Sequence, residues 1–332
     1  MKRILTGIKP TGDQIHLGNY FWAIKPFLNL TEQEKDSEFF LFLANMHGFT
    51  TTPSQEDLKK RSFMILKLYL ALGVDPKKVH IYNPANIPAH AQLNWVFSCL
   101  TNIGTMERMH TYKDALAKGQ MEEFWVGTFC YPILMAADIL YCDADLVPVG
   151  IDQKQHVELA RDIADRFNKR FGEVFTLPDV YINEHGAKIY DLQDPTKKMS
   201  KTEENPKGVI SLFDDPEVAK SKIMKATTDS LGTIKYDPEN QPGISNLLTI
   251  ASSLSNEDID SIVNKFEGKG YGDFKKYVAE IVGNFLTDIQ SKYNDIINSN
   301  KVDEILDNGK EITTKLAKDK YEKLSKMMGV YR

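Results

Sequence analysis

The chain has 332 residues, 42% of them hydrophobic and 26% charged, a composition typical of folded globular proteins that excludes an extended disordered chain. Its 41 Lys and Arg residues against 46 Asp and Glu residues give a formal net charge of −5, which argues against indiscriminate coating of nucleic acid. The length suits two domains.

Neither the cysteines nor the apolar segments point to secretion or to a membrane. Cys99, Cys130 and Cys142 form no CxxC pair and no even set, so the sequence predicts neither a zinc knuckle nor a disulfide framework. The first residues lack the apolar run of a signal peptide, and no window reaches the roughly 20 apolar residues of a membrane span. We therefore expect a cytoplasmic protein without a membrane segment.

Short β-rich runs alternate with helical patterns in the first half of the chain. The runs cover residues 3–8, 39–44, 78–83 and 146–150. A helix capped by Ser54 lies between the second and third runs, and further helices are predicted over residues 128–140 and 153–171. This alternation predicts an α/β fold built on a parallel sheet.

The character of the sequence changes after Thr202. A polar, turn-rich stretch follows, and from about Pro216 onward the patterns are helical almost to the terminus. We therefore predict an α/β domain over residues 1–202 and a separate helical domain over residues 203–332.

A first candidate phosphate site lies between the first strand and the helix that begins near Gly18. A helix N-terminus presents free N–H groups and a partial positive charge to an anion, and glycine lets a flat base approach the backbone. The residues assigned to ATP in this segment are Lys9, Pro10, Thr11, His16, Gly18 and Asn19. Taken alone, His16 is more often a hydrogen-bonded structural residue, so a second element must support the assignment.

That second element is the polar loop KMSKT. Lys198 and Lys201 are three residues apart, and two mobile ammonium groups at this spacing can clamp a triphosphate. The ATP contacts predicted here are Ile189, Lys198, Met199, Ser200, Lys201 and Thr202, with the two lysines as catalytic groups. A lone KMSKT would be a solvated surface turn, but together the two segments resemble the HIGH and KMSKS elements of class I aminoacyl-tRNA synthetases.

A third segment, GIDQKQH, is similar to the GxDQxxH segment of the tryptophanyl and tyrosyl members of that class. The resemblance implies ATP contacts from Gly150, Ile151 and Asp152, with the carboxylate of Asp152 holding ribose hydroxyls. A helix N-cap is the alternative role for Asp152, because the residue follows a strand and precedes a helix.

Two residues of the predicted helix 128–140 bear on the choice of amino acid. Met135 and Asp138 are three apart and share one helical face. A buried Asp138 can accept the indole N–H of tryptophan while Met135 packs against the ring, and phenylalanine would leave the carboxylate unpaired. Asp138 could instead pair with a buried arginine or cap a backbone segment.

The remaining pocket residues follow from the resemblance. Tyrosyl enzymes of the archaeal and eukaryotic type carry the same aspartate, but with a glutamine where this chain has Met135 and a tyrosine where it has Leu5. Both polar partners for a phenol are thus missing. In the tryptophanyl family, residues matching Tyr131 and Gln153 approach the ammonium group of the amino acid, and the residue matching His47 lies beside the pocket.

The likeness runs nearly end to end and is closest to bacterial tryptophanyl enzymes. It implies a Rossmann-like catalytic domain with helical insertions and a C-terminal, all-helical anticodon-binding domain. It further implies a homodimer acting on L-tryptophan, ATP with Mg²⁺, and tRNA(Trp). No cluster of carboxylates is evident, so we expect the triphosphate and water to hold Mg²⁺ without a protein-built metal site.

Three positions depart from the family pattern, and two of them, Ala115 and Asn45, give limited support to a noncatalytic paralogue. Asn19 replaces the final histidine of HIGH, Ala115 stands where a second lysine is frequent, and Asn45 stands where aspartate is frequent. The competing interpretations are a tyrosyl-tRNA synthetase, a small-molecule nucleotidylyltransferase and a noncatalytic tRNA-binding paralogue.

Overall fold

A computed structural model describes residues 1–9, 15–51, 54–182, 187–200, 206–297 and 301–330. Its sheet has five parallel strands in the order β3-β2-β1-β4-β5. They are β1 (Arg3–Ile8), β2 (Glu38–Leu43), β3 (Val79–Tyr82), β4 (Leu146–Pro148) and β5 (Asp179–Tyr181). The predicted α/β class with a Rossmann-like parallel sheet is confirmed.

Strand β2 lies between β3 and β1, and its apolar sequence suits this interior position. Five consecutive apolar residues, Phe39 to Leu43, are all buried, as expected for a parallel strand covered on both faces. Its first residue, Glu38, pairs in register with Arg3 of β1, and the Arg3 Nε lies 2.9 Å from Glu38 Oε2. The ion pair fixes the register at the start of both strands.

The strand order reverses between β1 and β4, because β2 and β3 lie on one side of β1 and β5 lies on the other side of β4. In open parallel sheets, ligands bind at the carboxyl ends of the strands beside such a reversal. Lys9 directly follows β1, and Gly150 to Gln153 follow β4. These predicted site residues therefore lie at the edge of the sheet where ligands are expected.

Fourteen α-helices surround or follow the sheet. In chain order they are α1 (Leu17–Asn19), α2 (Lys25–Gln33), α3 (Asn45–Gly48), α4 (Gln55–Ala71), α5 (Ala89–Ser98), α6 (Ile103–Glu107), α7 (His110–Ala117), α8 (Val126–Leu140), α9 (Lys154–Phe171), α10 (Pro216–Met224), α11 (Pro242–Ser255), α12 (Ile259–Lys265), α13 (Tyr271–Ile297) and α14 (Lys301–Met328), counted over the described residues. A π-helical turn, Tyr20–Ile24, joins α1 to α2, and short 3-10 turns precede α9 and other helices.

Local signals position several of these helices as predicted. Ser54 caps α4, because its side chain accepts a hydrogen bond from the Asp57 backbone N–H at 3.2 Å. Helix α9 ends at Gly172, whose φ of 104° lies in a region that favours glycine. The predicted helices over residues 128–140 and 153–171 correspond to α8 and α9.

Two compact units divide the chain, and neither is a single stretch of sequence. Unit 1 comprises Met1–Thr11, Leu30–Asn183 and Ser299–Arg332, and unit 2 comprises Gly12–Asn29 and Glu184–Asn298. This differs from the predicted division at residue 202. Long-range packing is the reason, since both ends of the chain contribute to unit 1 and an early segment contributes to unit 2.

Unit 1 contains the sheet, with α8 packed between α5 and α9 and with α14 packed on β3. Helix α14 approaches the strand very closely at Gly309, where a Cβ atom would lie 1.9 Å from the Ile81 carbonyl oxygen. Farther along α14, Lys320 Nζ lies 2.6 Å from Asp143 Oδ2. This last helix is therefore part of the sheet-containing unit, although it lies in the predicted helical domain.

Unit 2 contains a helical core in which α13 packs against α10 and α11. Two backbone hydrogen bonds join the segment around α1 to this unit. Leu17 N donates to Ile210 O at 3.0 Å, and Leu212 N donates to Ile15 O at 2.8 Å. The segment that contains the predicted HIGH-like residues thus packs with the loop that follows KMSKT. Among the described residues, no helix is long and apolar enough to span a membrane.

Candidate functional site

The carboxylate of Asp138 lies at the centre of a histidine pair in unit 1. Asp138 is on α8 and only 1% exposed. Its Oδ2 lies 2.8 Å from His47 Nε2, and its Oδ1 lies 2.7 Å from His90 Nδ1. Neither the arginine pair nor the backbone cap considered for this aspartate is present among the described contacts; two histidines from α3 and α5 take that place.

This environment keeps Asp138 ionised. Burial alone would raise the pKa of the carboxyl, but the hydrogen bonds from His47 and His90 outweigh that effect and hold its pKa below the usual value. A carboxylate has about four acceptor positions on its two oxygens, so two histidine donors leave it able to accept another N–H. The site is therefore a buried, negatively charged acceptor.

Tyr131 makes a second set of polar contacts, and its ring also contacts the ring of His47. Its hydroxyl lies 2.6 Å from Thr111 Oγ1 and 2.8 Å from His156 Nε2. The rings of His47 and Tyr131 meet edge to face with their centroids 6.0 Å apart. Burial lowers the pKa of His156 to about 4, so its imidazole is neutral at physiological pH.

The other residues predicted for the tryptophan pocket are Leu5, Met135 and Gln153, and all three belong to unit 1. Leu5 is fully buried on β1 in the core that also holds Ala136, and Met135 is partly buried against that core. Gln153 donates through Nε2 to Asp152 Oδ2 at 2.8 Å. No described bond makes Asp152 an N-cap, because the residue lies inside the 3-10 turn that begins after Gly150.

In unit 2, His16 forms the N-cap of α1. Its Nδ1 accepts from Asn19 N at 3.3 Å, and the Asn19 side-chain oxygen accepts from His16 N at 3.1 Å. Burial and the neighbouring Lys198 charge lower the pKa of His16 to about 4. The structural role considered for His16 is thus present, and its contact with ATP stays a prediction.

Gly18 lies where the HIGH-like and KMSK segments meet. A Cβ atom on Gly18 would lie 2.9 Å from His16 Nδ1 and 3.4 Å from the Met199 carbonyl oxygen. Met199 itself is buried, and its N–H donates to the Ile189 carbonyl at 2.9 Å. Only glycine fits between these groups without displacing one of them.

Lys198 contacts an aromatic ring that sequence reasoning did not single out. Its Nζ lies 4.5 Å from the centroid of the Trp22 ring, within the range of a cation–π interaction. Trp22 lies in the π-helical turn, and such turns are frequent at functional sites. Ser200 is exposed next to this lysine. Pro10, Thr11, Lys201 and Thr202 lie outside the described residues, and their contacts stay predictions.

A largely apolar cavity of about 390 Å³ opens beside Tyr131 in unit 1. Tyr131 is the one predicted tryptophan-contacting residue in its wall; Asp138 is not part of it. The lining residues are Met46, Phe49, Thr50, Asn94, Trp125, Gly127, Thr128, Cys130, Tyr131 and Leu134. The buried carboxylate of Asp138 and this apolar cavity are therefore two separate features of unit 1.

Sequence reasoning missed His90, His156 and Thr111. His90 lies in a stretch for which no helix was predicted, whereas His156 lies in the predicted helix 153–171 and is the last residue of the GxDQxxH-like segment. The sequence does carry a signal for such partners. A buried carboxylate requires hydrogen-bond donors, and the chain has only 7 histidines that could serve. Across the described residues, no group of three or more His, Cys, Asp or Glu side chains is arranged to hold a metal ion.

The chain is similar to known proteins over its full length. The family model for tRNA synthetases class I (W and Y) matches residues 1–287. A tryptophan--tRNA ligase of Bacillus anthracis is 46% identical over 332 residues, covering 100% of this chain and 99% of the relative. The Bacillus subtilis (strain 168) tryptophan--tRNA ligase is 45% identical, covering 99% and 98%.

A solved structure is equally informative about the fold. The tryptophanyl-tRNA synthetase of Campylobacter jejuni, complexed with ADP and tryptophan, superposes with a TM-score of 0.83 at 37% identity. The alignment covers 98% of this chain and 99% of the other. The two molecules therefore share their fold along the whole chain.

Proposed function

Because the chain belongs to the class I tRNA synthetases for tryptophan and tyrosine, on the branch of the bacterial tryptophan--tRNA ligases, we propose that it activates tryptophan with ATP and transfers it to the 3′ end of tRNA(Trp). The observation that carries this proposal is the buried, ionised Asp138, an acceptor suited to the single N–H of an indole. Full-length identity of 46% to a tryptophan--tRNA ligase supports it independently.

In the first step the tryptophan carboxylate attacks the α-phosphate of ATP, a P–O bond forms, and pyrophosphate leaves. The enzyme-bound product is an adenylate, and a terminal ribose hydroxyl of the tRNA then displaces AMP from it. No protein nucleophile is needed, so the protein contributes positioning and stabilisation of the charge that develops on pyrophosphate.

The residues proposed for the nucleotide come from both predicted motifs. Lys198 and Lys201 supply positive charge for the phosphates, and the helix that begins beside Gly18 supplies backbone N–H groups. Asp152 is proposed to hold the ribose, since its carboxylate is exposed beyond the carboxyl end of β4. Mg²⁺ is proposed to accompany the triphosphate and to neutralise its charge, held by phosphate oxygens and water.

The amino acid is proposed to bind in unit 1 with its ring N–H directed at Asp138. Met135 is placed three residues before that carboxylate on α8, and Tyr131 and Gln153 are proposed for the ammonium group. Tyrosine is the competitor to exclude. Its phenol is both donor and acceptor, and the apolar side chains of Leu5 and Met135 offer it no polar partner.

A homodimer is part of the proposal. Unit 1 carries large apolar side chains that are more than half exposed, among them Phe49 at 61%, Trp95 at 72% and Trp125 at 65%. Monomeric proteins seldom expose so much large apolar surface, and two of these residues also line the apolar cavity. A second copy of the chain is proposed to cover this surface.

The helical segment after Thr202 is proposed to contact the anticodon of tRNA(Trp), and a cytosolic location is proposed from the role in translation. The decisive experiment is exchange of labelled pyrophosphate into ATP with each aromatic amino acid in turn. We expect strong exchange with tryptophan and little with tyrosine or phenylalanine. Strong exchange with tyrosine would replace the proposal by a tyrosyl enzyme, and no exchange with any of them would favour a noncatalytic paralogue.

A further inference from the structure

His90 holds the Asp138 carboxylate from the protein core. Its side chain is 0% exposed, whereas the side chain of His47, which holds the other oxygen, retains 10% exposure. His90 lies in the first turn of α5, and its ring packs on Tyr141 with centroids 4.7 Å apart. The two histidines thus fix opposite oxygens of one carboxylate, one from the core and one beside Tyr131.

The hydrogen-bonding state of His90 follows from its partner. An ionised carboxylate only accepts, so His90 Nδ1 carries the hydrogen of the 2.7 Å contact with Asp138 Oδ1. His90 Nε2 is also buried and has no hydrogen-bond partner among the described residues. The one hydrogen bond that the described residues show for His90 is therefore the bond to Asp138.

We propose that His90 is a positioning residue for amino-acid selection, which fixes Asp138 Oδ1 from the core so that the remaining acceptor positions of the carboxylate are directed at the substrate ring N–H. The inference rests on the proposed function and deepens it. His90 neither touches the substrate nor exchanges a proton with it.

The physical reason lies in the freedom of an aspartate side chain. The terminal torsion of aspartate has broad, shallow preferences, so a carboxylate held at one oxygen alone can rotate about its bond to Cβ. Without His90, Oδ1 would also lose its donor inside an apolar core, where an unpaired charge is costly. Such a carboxylate would turn toward other donors and accept the indole N–H less well.

The test compares tryptophan with 3-benzothienylalanine, in which sulfur replaces the ring N–H and shape is nearly kept. For each enzyme, kcat/KM in pyrophosphate exchange is measured with both amino acids, and their ratio reports the bond to Asp138. Because both values come from one preparation, a partly unfolded fraction cancels. The variants are His90→Leu, which removes the donor, and His90→Asn, whose amide N–H lies near the position of Nδ1.

We expect His90→Leu to lower the ratio by roughly ten- to a hundredfold, the effect of weakening one charge-assisted hydrogen bond. His90→Asn should stay within about threefold of the wild type. A general loss of packing would lower both kcat/KM values together and leave the ratio unchanged. The matched control is His80→Asn, because His80 also faces a carboxylate, Glu38 at 3.3 Å, but lies on β3 away from Asp138.

An unchanged ratio in His90→Leu would overturn the proposal, and so would an equal fall in His90→Leu and His90→Asn. If His90→Leu yields no folded protein, His90→Gln replaces it, since its amide reaches the position of Nε2 and should not restore the ratio. Equal ratios in His90→Asn and His90→Gln would then overturn the proposal. A wild type that does not prefer tryptophan would refute the proposed function itself.

Discussion

Gly18→Ala tests whether the contact between the HIGH-like segment and the KMSK segment serves the nucleotide. The added Cβ would lie 2.9 Å from His16 Nδ1 and 3.1 Å from His16 Cε1, so the His16 ring must move. The ring then loses the bond at 3.3 Å that it accepts from Asn19 N. Loss of an N-cap costs about 1 kcal/mol, and alanine in place of a helical glycine returns up to about 1 kcal/mol.

The free energy of unfolding should therefore change little, whereas kcat/KM for ATP should fall. A displacement of His16 worth about 1 to 2 kcal/mol in the ATP complex corresponds to a roughly 5- to 30-fold lower kcat/KM for ATP. The KM for tryptophan should stay within about twofold, because neither Gly18 nor His16 is among the tryptophan-contacting residues we propose. Pyrophosphate exchange with ATP and tryptophan titrated separately measures both values.

Gly272→Ala is the matched control. Gly272 lies in the first turn of α13 in the same unit, and an added Cβ there would meet no atom within 4 Å. Gly272→Ala should keep the wild-type kcat/KM for ATP and KM for tryptophan, and its free energy of unfolding in urea should rise slightly. If Gly18→Ala keeps the kcat/KM of the wild type for ATP, the close approach of His16 has no part in nucleotide binding and the reasoning is refuted.

Three further predictions concern other parts of the proposed site. Asp138→Asn should raise the KM for tryptophan by roughly 10- to 100-fold in pyrophosphate exchange, because the charge that accepts the indole N–H is lost; an unchanged KM would contradict the assignment. Lys198→Ala should lower kcat of exchange roughly 100-fold, as loss of a transition-state contact does, whereas Trp22→Leu should change it less than about fivefold, since an exposed cation–π contact is weak. Equal losses in the two would assign Trp22 a larger role. Burial holds the pKa of His156 at about 4 against an ordinary 6.5, so the unfolded chain binds more protons between these values and stability falls as the pH drops from 6.5 toward 4. In urea unfolding, the free energy of unfolding should fall less in His156→Gln than in the wild type when the pH is lowered from 7 to 5, by at most about 2 kcal/mol. Parallel pH profiles of the two proteins would refute this.

The strands were predictable where burial is continuous along the chain. The apolar run of β2 and the alternating segments around it mark four strands to within two residues at each end. Strand β5 was missed because it has only three residues and is partly exposed, so that its pairing with β4 decides its conformation. Local sequence does not carry that information.

The discontinuous units were not predictable from local pattern. The change in composition after Thr202 marks where helices begin to dominate, but it does not show which core a helix joins. That choice depends on contacts between distant residues, such as Leu17 with Ile210 and Gly309 with Ile81. Spacing along the sequence does not predict such contacts.

The same limit applies to the site. The sequence shows that Asp138 lies on an apolar helix and needs a partner, and burial of its side chain bears this out. Its partners are 91 and 48 residues away in the chain, on α3 and α5. A single sequence can indicate that donors are required, but the tertiary fold decides which residues supply them.

The close fit of α14 on β3 has a consequence for synthesis. Strand β3 is an outer strand of the sheet, and an outer strand left uncovered can pair with strands of other molecules. During synthesis, all five strands leave the ribosome well before α14, the helix that packs on β3. We therefore expect the nascent protein to expose β3 until α14 is synthesised, and a chain shortened before α14 to aggregate more readily than the full chain.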